Sequence, residues 1–76
     1  MNDILEQATI DKDDLKILKE EASILLEHYE TQLKHANNSD IMQSLENRID
    51  RKKEEIEELK KEIVKLANYI IEYNNN

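Results

Sequence analysis

The 76-residue chain contains no glycine, no proline and no cysteine, and three tyrosines are its only aromatics. Tight turns that need a positive φ have no glycine to supply them, and an all-β fold depends on many such turns. Missing cysteine removes disulfides, thiolate chemistry and cysteine zinc sites, and with them any reading of redox compartment. A phosphate-cradling glycine loop is excluded for the same reason as the tight turns. No apolar run approaches the roughly 18 residues of a membrane span. The N-terminal MNDILEQ has no basic segment leading into an apolar core, so no signal peptide is expected. The composition predicts a soluble cytoplasmic protein with no cofactor, no metal and no membrane partner.

What remains is a chain rich in Glu, Lys, Leu and Ile, with 38% charged residues and a net charge of −7. Such a composition with helical periodicity marks a long helix or coiled coil. The imbalance sits in the first part of the chain, where residues 1–47 hold eleven acids and four bases, while residues 48–76 hold seven of each. A phosphate backbone is a poor match for that surface, because binding it relies on Lys and Arg. No direct nucleic-acid partner is therefore expected. Arg48, Arg51, Lys52 and Lys53 form a basic cluster, but Asp50, Glu54 and Glu55 interleave it, as on a solvated helix face.

The strongest pattern is a seam of Met42, Leu45, Ile49, Lys52, Ile56, Leu59, Ile63, Leu66, Ile70 and Tyr73, with alternating spacings of three and four. That alternation is the heptad signature of a helix packed along another helix. Leu15, Leu18, Ala22, Leu25 and Tyr29 give a second seam, reaching Ala36 past Gln32, and Ile17, Ile24, Leu26 and Leu33 widen it. Asp11 is a candidate cap for this helix, with Ile10 stapled on Leu15. A heptad continued from Ala36 would fall on Gln43, yet the seam uses Met42. That slip turns the stripe by about 100°, so a break at Asn37-Asn38-Ser39-Asp40 explains it better than one uninterrupted helix. Ser39 or Asp40 is the expected cap of the second helix.

The predicted architecture is all-α: an antiparallel two-helix hairpin of coiled-coil type, dimerising into a four-helix bundle. Residues 1–10 form an arm, the hairpin covers 11–73 (helix 11–37, turn 37–40, helix 40–73), and residues 74–76 fray. One uninterrupted helix is the alternative. Tyr29 should meet Ile49, Ala22 should meet Ile56, and Ala8 should meet Ile70. Two helices make a thin core, and single cores of this size contribute only about 3–5 kcal/mol net. After residue 62, Val64, Ala67 and Ile71 spread the apolar surface beyond what one partner helix covers, which is the reason to expect a second hairpin or another protein.

Candidate chemistry is sparse. His28 and His35 are seven apart, about 10.5 Å of helical rise, too far for one metal ion. The acids are placed as surface charge: Asp13, Glu20 and Glu27 repeat every seven residues, and Glu30–Lys34 and Glu57–Lys61 suit i,i+4 pairing. No Ser-His-Asp set or carboxylate pocket is arguable, so no catalytic residue is assigned. Lys52 stands where Leu or Ile is expected; a polar seam residue can set register or oligomer state, or snorkel over apolar surface. The interface expected from the pattern comprises Ile63, Val64, Leu66, Ala67, Ile70, Ile71 and Tyr73, with Ile4 and Leu5 of the arm beside it.

Three functions are compatible with this pattern. One is a non-enzymatic protein–protein interaction module, a regulator or adaptor binding a protein partner or a second copy of itself through the heptad stripe. Another is an acidic inhibitor whose Asp13, Glu20 and Glu27 mimic nucleic-acid charge on a basic partner. The third is a structural subunit of a larger assembly.

Overall fold

A computed structural model describes residues 3–75, which form two helices, α1 (Asp3–His35) and α2 (Ser39–Asn75). They pack against each other as a hairpin measuring 57 × 14 × 13 Å. Every described residue outside 36–38 is helical. The fold is thus the all-α helical hairpin that the break in heptad phase predicts.

The helix α1 begins at Asp3, so Asp11 lies inside it and does not cap its start. Nothing in the sequence between residues 3 and 11 breaks a helix, and Ala8 gains a buried position by continuing it. The Asp11 carboxylate instead accepts a 2.9 Å hydrogen bond from the side-chain amide of Gln7, one turn back. Expectations for Met1, Asn2 and Asn76 fall outside the described residues. Asn74 and Asn75 form the end of α2.

The connection is built without any positive φ among the described residues. The last turn of α1 tightens through Ala36 N–H donating to the Leu33 carbonyl at 3.2 Å. The cap of α2 is Asn38, one residue before the expected Ser39 or Asp40. Its side-chain oxygen accepts from the backbone amides of Asp40 (2.8 Å) and Ile41 (3.3 Å), and its carbonyl accepts from Met42 N–H at 2.9 Å. Asn is among the strongest cap residues because its short side chain reaches the orphan amides of the first turn. Asp40 adds negative charge to the same turn, at the positive end of the helix dipole.

The inner face of α2 follows the expected seam from Leu45 onward: Leu45, Ile49 and Ile56 are buried, and Lys52, Leu59, Ile63, Leu66, Ile70 and Tyr73 are half-buried, whereas Met42, its expected first member, is 38% exposed beside the connection. The inner face of α1 differs from expectation. Leu5, Ala8, Lys12, Leu15, Lys19, Ala22, Leu26, Tyr29, Leu33 and Ala36 turn inward, whereas Leu18 and Leu25 remain 49% and 37% exposed. The physical reason lies in the rest of each heptad row. The row of Leu18 and Leu25 also holds Asp11 and Gln32, whose polar heads sit on shorter aliphatic stems than those of lysine and would be driven into the seam. The row that won holds Lys12 and Lys19, whose long aliphatic stems cover apolar surface while the ammonium stays in water. Alanine at 8, 22 and 36 alternates with Leu15 and Tyr29 in the neighbouring row, so small and large side chains interdigitate along the seam.

The register sets Tyr29 beside Arg48, and Ala22 and Leu25 beside Lys52 and Glu55. At the terminal end, Ala8 shares a groove with Leu66 and Tyr69. These neighbours agree with the pairing of Tyr29 with Ile49 and of Ala22 with Ile56.

Candidate interaction surface

Coverage of α2 weakens along its length. Ile49 and Ile56 are buried, while beyond Ile56 every inner-face residue is only half-buried. This follows from the hairpin geometry: a single helix shields one side of its neighbour, and nothing else packs on these two. Val64 and Ile71 are left 56% and 57% exposed. Val64 lies among the stems of Lys60, Lys61 and Lys65.

The residues expected to form one interface are therefore divided among three surfaces. Ile63, Leu66, Ala67, Ile70 and Tyr73 are half-buried on the α1 side, with Leu5 likewise half-buried on the opposing helix. Val64 and Ile71 lie on one flank of the seam. Ile4 lies on the other flank, in a groove with Ala8, Asp11, Leu66 and Tyr69. The Tyr69 and Tyr73 rings stand 6.1 Å apart, tilted by 41°.

That second flank carries three open depressions spaced along the described hairpin. Toward the termini they contain Ile4 and Tyr69, in the middle Leu18, Leu25, Lys52 and Glu55, and toward the loop His28, His35, Ile41, Leu45 and Arg48. Leu18, Leu25, Ile41 and Tyr69 are exposed there. Leu18 and Leu25 as surface residues were not foreseen; their shared row with Asp11 and Gln32 is the signal that points to it.

Lys52 sits half-buried between the flank and the seam. Its ammonium donates to the Glu55 carboxylate at 2.7 Å, so the charge in the seam is paired within its own helix. The remaining ion pairs of α2 are exposed and i,i+3: Lys60–Glu57 at 3.3 Å, Lys61–Glu58 at 3.6 Å and Lys65–Glu62 at 3.6 Å. Glu57 thus engages Lys60 and not the expected Lys61, since both spacings are within reach on a helix surface.

His28 and His35 both face the loop-end groove, and the Gln32 amide nitrogen lies 3.3 Å from His28 Nε2. Among the described residues, no three His, Cys, Asp or Glu side chains converge as a metal site. Asp13, Glu20 and Glu27 are exposed on α1, beside a row of exposed Ile10, Ile17 and Ile24 at the same seven-residue spacing. This outer ridge faces away from the seam. No described helix is long and apolar enough to cross a membrane.

No protein-family model matches the chain, and no match was found among curated proteins or solved structures.

What the arrangement offers chemically is apolar surface rimmed by charge, held on two rigid helices. No described carboxylate, histidine or lysine is fully buried, so nothing encloses a reacting group away from water.

Proposed function

We propose that this chain is a non-enzymatic interaction module whose working form is a pair of hairpins assembled as a four-helix bundle, acting as a small regulator or adaptor. One observation carries this reading. The large apolar side chains that α1 and α2 bury between them are few, while Leu18, Leu25, Val64, Tyr69 and Ile71 remain in solvent outside the seam. Exposed apolar surface of that extent on a small rod is characteristic of a protein-binding face. Two stacked hairpins would give each helix two neighbours, the arrangement of a bundle. Sedimentation equilibrium of the full chain tests this: a dimer is expected, and a well-folded monomer across the whole micromolar range would overturn it.

The acidic outer ridge supports a second reading. Asp13, Glu20 and Glu27 are exposed in line on α1 and could occupy a basic groove on a nucleic-acid-binding protein. Salt separates the two readings. Binding through apolar contacts changes little with ionic strength, whereas charge mimicry weakens steeply as added salt shortens the distance over which charges attract. A structural subunit of a larger assembly is the third reading, and it requires the isolated chain to be poorly folded until that assembly is present.

A further inference from the structure

We propose that the grooved face receives the same face of a second copy turned end for end, so that the loop of each hairpin lies over the chain termini of the other. This rests on the reading of the chain as a paired hairpin and adds which face is used and in which direction.

The first support is area. The rod is 57 Å long and 14 Å across, so a contact running its full length is of the order of the roughly 800 Å² that each partner contributes to a standard stable interface.

The second is where the apolar side chains fall. The helix α1 runs from Asp3 to His35, so Leu18 lies near its midpoint and Leu25 two turns on. A two-fold axis across the rod at that midpoint brings Leu18 and Leu25 onto their counterparts' helix, at the centre of the contact. Ile4 and Tyr69 at one end and Ile41 at the other extend the apolar strip to both ends. Glu55, near the same centre, is already paired with Lys52. Among the described residues the large exposed apolar side chains of the opposite flank are Val64 and Ile71, both in the terminal third, with Val64 among lysines.

The third is charge. Toward the termini the edges of the grooved face carry Asp11 and Asp14 on α1 and, at heptad spacing from Glu55 and Lys65, Glu58, Glu62 and Glu72 on α2, with Lys65 as the base among them. Toward the loop the edges carry Arg48 and Arg51 with His28 and His35, against Glu21 and Glu55. The face therefore has an acidic terminal end and a loop end where Arg48 and Arg51 balance Glu21 and Glu55. Stacking two copies with loops together sets acid over acid. Turning one copy end for end sets the Arg48 end of each over the Asp11 end of the other, which keeps the two acidic ends apart and puts the arginines nearer the acids.

The native chain has no cysteine, so single-cysteine variants report the geometry directly. Gln7 and Gln32 are exposed residues of the same edge of α1, placed twelve and thirteen residues on either side of its midpoint at Lys19. A mixture of full-length Gln7→Cys and Gln32→Cys chains should oxidise to the mixed disulfide dimer, and each variant alone should not. Cross-linking between Gln32→Cys and Ser44→Cys chains would instead show loops at the same end and overturn the proposal. A dimer by sedimentation with neither mixed disulfide would also overturn it while leaving the paired hairpin standing; a monomer would overturn both. Leu18→Glu combined with Leu25→Glu should raise the dimer dissociation constant about tenfold or more, with helicity by circular dichroism retained, since central apolar contacts dominate such interfaces. An unchanged dissociation constant would count against the grooved face.

Discussion

The Arg48 guanidinium carbon stands 5.9 Å from the centroid of the Tyr29 ring, joining the two helices at the edge of the seam. Tyr29 is half-buried, with the cation over its ring. Cation–π pairs at partly exposed sites contribute about 0.5–1 kcal/mol. A double-mutant cycle of Tyr29→Leu and Arg48→Met, followed by urea unfolding, should return a coupling of about that size. Strictly additive effects would show that the two side chains are merely adjacent.

Ala22 is 5% exposed where α1 meets Lys52 and Glu55. A longer side chain there would have to push the helices apart. Ala22→Leu should destabilise by about 1–3 kcal/mol, the usual cost of overpacking. Read as a melting temperature, each kcal/mol corresponds to roughly 4–8 °C in a domain of this size. A rise in melting temperature would mean that the seam holds spare room at this level.

Asn38 caps α2 through two backbone amides. Removing its side-chain oxygen in Asn38→Ala should lower stability by about 1 kcal/mol, while Asn38→Asp, which keeps an acceptor, should hold most of it. Ser39→Ala serves as the comparison: equal losses at 38 and 39 would show that the cap is shared.

Lys52 is held in the seam by Glu55 alone among its charged neighbours on α2. Lys52→Leu should raise the melting temperature by adding apolar contact, and should broaden the oligomer distribution seen by light scattering, because a polar seam residue restricts assembly state. A lower melting temperature with unchanged mass would rule this out.

Ile17 lies on the outer ridge of α1, 54% exposed and directed away from both flanks of the seam. Ile17→Lys should change unfolding free energy by no more than about 0.5 kcal/mol, as substitutions on open helix surface do. The dimer mass should be unchanged. Loss of self-association in this variant would place the contact on the ridge and not on the groove.

Much of this architecture is legible in the sequence because α2 has one clear stripe. Met42 out of phase with Ala36 reveals the break, and the alternating three-four spacing from Leu45 to Tyr73 identifies the inner face. For α1 two apolar rows compete, and counting Leu and Ile does not separate them: Ile4, Leu18 and Leu25 stand against Leu5, Leu26 and Leu33. The decision turns on the row's least apolar members: Asp11 and Gln32 cannot snorkel, Lys12 and Lys19 can. The early start of α1 at Asp3 was hidden by a local cap signal at Asp11 that tertiary packing of Ala8 overrides. The candidate surface was legible only as an excess of apolar residues beyond residue 62. Its division between two flanks depends on which side of the seam each residue falls, and that is set by the row chosen on the opposite helix.

The three-residue connection between α1 and α2, residues 36–38, has a kinetic consequence. Pairing that starts there closes the shortest possible loop, and each further turn adds contacts next to those already made, so the entropic cost of each step is small. Proteins dominated by such near-neighbour contacts fold in microseconds to milliseconds. The hairpin should therefore zip from the loop outward and open in reverse, with amide protons near Leu5 and Tyr73 exchanging long before those near Ile49. Any partner that grips the terminal end would find it the first part of the molecule to come apart and the last to close.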